Sequence, residues 1–279
     1  MNLEKVIFKS HKLHIAEGAF IACRNLQSVY VDNLESWLGY KFENAASNPL
    51  AYAKELIIDG KKTNDIIIPS ITEISGRSFN HTESIKTLYI PPSVRHIGEY
   101  AFAGCPNLKR VFIDDLNGWC NTDFDNYSAN PLTSDAIFSV NRDEGWETII
   151  DREESFVSDI KLYLKEKELC ELIVDKETPI IKESAFARCS SLKTVTFTGE
   201  KTVVEADAFL KCPCLKKIRI NGQSAATIHP SAFRGCDATI EFIGSEREWR
   251  DFVGENNYLG IRDIVLVSKK ESELSILEK

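Results

Sequence analysis

The pattern Ala-Phe-x-x-Cys occurs five times in this chain: Ala19-Phe20 to Cys23, Ala101-Phe102 to Cys105, Ala185-Phe186 to Cys189, Ala208-Phe209 to Cys212 and Ala232-Phe233 to Cys236. A sixth, worn copy runs from Ser78-Phe79 to Thr82. An aliphatic residue stands five positions before each Phe: Ile15, Ile74, Ile97, Ile181, Val204 and Ile228. In five copies another follows three positions after the Cys or Thr: Leu26, Ile85, Leu108, Leu192 and Leu215. Then come apolar pairs two apart: Val29/Val31, Leu88/Ile90, Val111/Ile113, Val195/Phe197 and Ile218/Ile220. The last copy is slightly shorter and resumes at Ile240/Phe242. One such unit cannot bury its own apolar face, so the units must stack.

The closest Phe-to-Phe spacings are 23, 23 and 24 residues, inside the roughly 20–29 residues of leucine-rich repeats. Each unit ends in an alternation of period two, which is a strand with one apolar face. The predicted fold is a β-rich leucine-rich repeat solenoid of stacked parallel strands, one domain over residues 1–260 with a tail at 261–279. In that stack Phe20, Phe79, Phe102, Phe186, Phe209 and Phe233 form one ladder of core rings. Cys23, Cys105, Cys189, Cys212 and Cys236 form another. Free Cys behaves as a small buried hydrophobe, and Thr82 occupies the same rung at nearly the same size. A catalytic or metal-bound thiolate would not tolerate that exchange. A disulfide between neighbouring rungs is the alternative.

These units, of the form I-x-x-x-A-F-x-x-C-x-x-L-x-x-V-x-I, resemble the BspA-type leucine-rich repeat family over roughly residues 3–253. That resemblance implies a protein-binding solenoid of bacterial cell surfaces, engaged in adhesion or host interaction.

Two insertions interrupt the array, at 32–54 and 114–159. They are related: Val29 to Leu50 matches Val111 to Leu132 at a constant offset of 82 residues, pairing Trp37 with Trp119 and Asn48-Pro49-Leu50 with Asn130-Pro131-Leu132. Asp32 and Glu35 suggest a capping box ahead of a short helix carrying Trp37, and the residue before Pro ends regular structure. Ser245 and Glu248 repeat the device around Trp249, which predicts a C-terminal cap over 244–256. Residues 133–159 hold eight acids and two Arg. Ile137, Phe138, Val140 and Trp146 read there as a decayed copy of the strand-then-Trp module.

The formal net charge of -8 argues against nucleic acid, which needs clustered cations to displace counterions. No stretch approaches the ~18 apolar residues of a membrane span. The opening segment lacks the apolar run of a signal peptide, so a cytoplasmic location stands beside the cell surface that the resemblance implies. No nucleophile-elbow, metalloprotease or phosphate-loop motif is present, and no enzyme, metal or cofactor is expected. His14 and His96 hold equivalent surface positions. What remains is the outward face of the strands, where Tyr30, Tyr89 and Phe112 lie between inward pairs, with Arg110, Lys217 and Arg219 beside them. Exposed aromatics near Arg are the residue types of binding hot spots. The expected function is non-enzymatic protein binding by a monomer, and the alternative is a structural spacer or intracellular scaffold.

Overall fold

The computed structural model describes residues 2–9, 12–53, 55–142, 145–150, 158–198, 201–222, 226–254, 259, 261 and 263–268. Parts of both expected insertions, of the expected C-terminal cap and of the tail lie outside those residues. The chain divides into two compact units, Met1–Lys167 and Glu168–Lys279.

In the first unit two parallel sheets carry the repeats. One joins β1 (Lys5–Phe8), β2 (Ser28–Val31) and β3 (Glu55–Ile58). The other joins β4 (Asp65–Ile67), β5 (Thr87–Ile90), β6 (Arg110–Ile113) and β7 (Lys161–Leu164). In the second unit a single parallel sheet runs through β8 (Glu171–Val174), β9 (Thr194–Phe197), β10 (Lys217–Asn221), β11 (Thr239–Ile243) and β12 (Asp263–Val267). Every pair is in register rung for rung, so the alternation in sequence becomes rows in space. Val111 lies between Leu88 and Leu162, and all three are buried. Two-residue strands form the opposite wall and bury an apolar residue, the leading aliphatic in Glu73–Ile74 and His96–Ile97 and the module's Phe in Asp123–Phe124.

Between the two walls the chain turns on a pair of positive-φ residues, one before the Ala or Ser and one before the Cys or Thr rung. The pairs are Gly18/Ala22, Arg77/His81, Tyr100/Gly104, Ser184/Arg188 and Asp207/Lys211, with φ from +51° to +70°. For a non-glycine residue this conformation costs about 1–2 kcal/mol. Hydrogen bonds from coil to coil offset it. Phe79 N–H donates to the Ala101 carbonyl (2.8 Å) and His81 N–H to Ala103 (2.9 Å). Phe186, Arg188, Phe209 and Lys211 donate in the same way to the following coil at 2.7 to 2.9 Å. Gly104 is held to glycine twice over: its φ is +70°, and a Cβ would stand 2.4 Å from the His81 ring.

The duplicated insertions each begin with a short helix, α1 (Leu34–Leu38) and α2 (Leu116–Cys120), which buries Trp37 and Trp119. The cap differs from the Asp32/Glu35 box expected. Asn33 is the N-cap and accepts from Ser36 N–H, and its twin Asp115 accepts from Asn117 and Gly118. The helix starts one residue later than the acidic spacing suggested. Trp37 Nε1–H reaches the Ser78 carbonyl at 2.9 Å. Asn48, wholly buried, accepts from Leu50 N–H and donates to the Arg77 carbonyl (2.5 Å), tying the module to the coil that follows.

Two expectations are corrected. Trp146 does not sit on a helix: Ile137–Arg142 and Gly145–Ile150 pair as an antiparallel hairpin, so this stretch is not a copy of the Trp module. The capping box of α3 (Glu246–Val253) forms with both of its bonds, from Glu248 N–H to Ser245 Oγ and from Ser245 N–H to Glu248 Oε2. But α3 does not end the sheet. Asp263–Val267, expected as tail, forms β12 beside β11 in full register, because Asp-Ile-Val-Leu-Val has strand character that no Phe-Cys signature announces. Val265 and Leu266 on it are 49% and 42% exposed.

Candidate binding face

The buried ladders decide which side chains are left for function. Phe79 stacks on Phe102 at 5.5 Å, and Phe209 lies between Phe186 (5.2 Å) and Phe233 (4.8 Å). All five rings are fully buried, while Phe20 is half-buried. All eight cysteines are free thiols. Cys105, Cys212 and Cys236 each donate to the carbonyl of the Phe on the preceding coil: Phe79 (3.1 Å), Phe186 (3.0 Å) and Phe209 (3.0 Å). The rung therefore asks for a small side chain that packs; the three thiols also donate, whereas the buried Thr82 Oγ1 has no hydrogen-bond partner among the described residues.

Burial pushes the Cys105 and Cys120 thiols up to about 12, and raises that of Cys212 as well. The thiolate is the reactive species, so Cys105, Cys120 and Cys212 are expected to resist alkylation in the folded protein, as is Cys189 by its complete burial. Cys236 departs from the ladder expectation. It is half-buried, like Cys170 and Cys214. These three are expected to label first in timed iodoacetamide mass spectrometry, and fast native labelling of Cys105 would contradict the ladder assignment.

The two His–carboxylate pairs are a duplicated surface feature. His14 meets Glu43 at 2.8 Å and His96 meets Asp125 at 2.7 Å, equivalent positions of the two modules. Both His are exposed or partly so.

On the outward strand face Tyr30, Tyr89 and Phe112 do not share one sheet. Tyr30 lies on β2, in register with Ile7 and Ile57. Tyr89 and Phe112 lie on the other sheet, and the ring that joins them is Tyr163. Tyr89 and Phe112 stack at 4.7 Å with planes 13° apart; Phe112 and Tyr163 stack at 4.6 Å and 21°. Tyr163 had a signal in the sequence: Lys161–Leu164 follows the second insertion as Glu55–Ile58 follows the first. The acidic stretch between Leu132 and Lys161 conceals that equivalence. Ile67 extends the row and is 69% exposed.

The three cations expected on outward strand positions fare differently, Lys217 and Arg219 lying on the sheet of the second unit. Lys217 and Arg219 both engage Glu241, at 2.6 and 2.8 Å. Burial pushes the Glu241 carboxyl up, but the hydrogen bonds from Lys217 and Arg219 outweigh it and hold it below the usual carboxylate range. Arg110 is exposed and, among the described residues, its side chain bonds only Thr87 Oγ1, at 3.0 Å.

The BspA type leucine rich repeat region, as a family model, matches residues 1–58, 52–130 and 161–247 in six copies. The chain belongs to that family. The stretch of this BspA-type repeat protein left unmatched between 131 and 160 contains the hairpin and most of the acidic insertion. Among solved structures it is similar to a leucine-rich repeat protein from Bacteroides ovatus, at 16% identity and a TM-score of 0.37, covering 92% of this chain and 78% of that one. A leucine-rich repeat protein from Eubacterium ventriosum matches at 14% identity and 0.37, over 95% and 73% of the two chains. A leucine rich cell surface protein from Faecalibacterium prausnitzii matches at 16% identity and 0.25, over 90% and 93%. No curated protein matches the sequence.

Proposed function

We propose that this BspA-type repeat protein is a non-catalytic binding module, and that its contact face is the outward side of the β4–β7 sheet. The observation that carries the reading is the stacked, partly exposed row Ile67, Tyr89, Phe112 and Tyr163. A contiguous exposed apolar row on a repeat scaffold is a common mark of an interaction site. Rigid aromatic side chains also lose little entropy on being covered. Adhesion to a host or neighbouring cell is the biological setting that the family membership suggests.

The test is a Tyr89→Ser, Phe112→Ser, Tyr163→Ser triple variant. Removing two cross-strand ring pairs is expected to lower stability by about 1–2 kcal/mol and to leave the fold intact. Proteins retained from host-cell and bacterial extracts by the immobilised wild-type chain should be lost by the variant, with binding weakened by at least ~2 kcal/mol. Identical retention by both would remove the face from consideration and leave the spacer role.

A further inference from the structure

Resting on that reading of the β4–β7 face, we propose that its partner is an acidic peptide segment that alternates carboxylate and apolar side chains. Two rows lie side by side on this surface. One is Asp65, Thr87, Arg110 and Lys161; the other is Ile67, Tyr89, Phe112 and Tyr163. They are one i to i+2 step apart, about 7 Å.

The Arg110 guanidinium can only donate, and each phenol hydroxyl can donate as well as accept. The Arg110 guanidinium is exposed and has no carboxylate partner among the described residues, its one hydrogen bond being to Thr87 Oγ1. Elsewhere the comparable cations are occupied: Lys217 and Arg219 by Glu241, Lys62 by Glu55. The hydroxyls of Tyr89 and Tyr163 have no protein partner among the described residues. Stacking covers the ring faces and leaves the edges outward, and the edge is the positive side of an aromatic quadrupole. Arg110, two phenol O–H groups and three ring edges together call for an acceptor-rich, anionic ligand. Asp65, on the same row, stands two strands from Arg110 backbone to backbone, about 10 Å, and forms no ion pair with it among the described residues.

The row beside it calls for something apolar. Ile67 is 69% exposed and Tyr89 38%, and only a ligand with hydrocarbon side chains would cover them favourably. An extended peptide places alternate side chains about 7 Å apart on one side, which matches the separation of the two rows. An acidic oligosaccharide would satisfy Arg110 and leave Ile67 wet. The chain as a whole carries -8 and repels anions at a distance, so recognition is local to this row.

A short random-peptide library displayed on phage, panned on the full chain, tests the proposal, with Arg110→Gln and the triple ring variant panned in parallel. Circular dichroism and the thermal midpoint establish that each variant is folded. Peptides enriched on the wild-type chain should carry Asp or Glu next to aromatic or aliphatic residues. By fluorescence anisotropy they should bind Arg110→Gln roughly tenfold or more weakly, as expected for loss of a close charge pair. Neutral or basic enriched peptides, or equal binding to Arg110→Gln, would overturn the acidic class while the face stands. Equal enrichment on the triple variant would overturn the face itself. No enrichment on the wild-type chain, or tighter binding of a uronate oligosaccharide than of any enriched peptide, would also overturn the proposal.

Discussion

Phe209→Ala is expected to destabilise the Glu168–Lys279 unit by about 4 kcal/mol, within the ~3–5 kcal/mol range for emptying a buried Phe site. The ring is fully buried and lies between Phe186 and Phe233, 5.2 and 4.8 Å away with planes 5° and 13° apart. Removing it leaves a void that the flanking coils are poorly placed to fill, because backbone hydrogen bonds from Phe209 and Lys211 to the following coil fix their separation. Two ring pairs vanish as well, each contributing about 0.5–1.5 kcal/mol beyond area burial. Phe20→Ala is the internal control. Phe20 is half-buried, and its aromatic neighbour Phe8 meets it edge-on at 6.3 Å, so a loss of about 1–2 kcal/mol is expected there. Urea titration followed by hydrogen exchange resolves the two. A loss under ~1 kcal/mol at Phe209, or equal losses at both positions, would contradict the ladder.

Acid is expected to loosen the first unit through His81. Burial lowers its pKa from 6.5 to about 4, since the imidazole packs against Gly104 where a Cβ would otherwise stand. The unfolded chain takes up the proton near 6.5 and the folded one near 4, so between those values the unfolded state binds more protons. Stability is therefore complete above about pH 6.5 and declines as the pH falls toward 4. The full shift corresponds to about 3 kcal/mol, of which about 2 kcal/mol is already lost at pH 5. His81→Asn keeps a residue suited to positive φ and removes the titration. Denaturant midpoints from pH 7 to pH 5 should fall for the wild-type chain more steeply than for the variant. Parallel slopes would mean that His81 does not carry the acid response.

Period-two alternation, the leading aliphatic, and the Phe and Cys rungs are local consequences of a repeated sequence in a stack that translates by one strand per coil. They could be read directly, and so could the duplicated modules 82 residues apart with Trp37 and Trp119 in matching helices. Which strand neighbours which across an insertion is not a local property. It depends on where the chain re-enters the stack, and that set Tyr30 on a different sheet from Tyr89 while bringing Tyr163 to Phe112. Charge pairing across strands is equally non-local. Glu241 neutralises Lys217 and Arg219, whereas Arg110, at the repeat position equivalent to Lys217, has among the described residues only a threonine as side-chain partner. Glycine marks the paired positive-φ turns only at Gly18 and Gly104; in other coils no glycine announces them, and coil-to-coil hydrogen bonds hold that backbone at Arg77, His81 and Arg188 against their own preference. Local pattern alone dictates the rungs; long-range strand order and cross-strand electrostatics select which side chains face a partner.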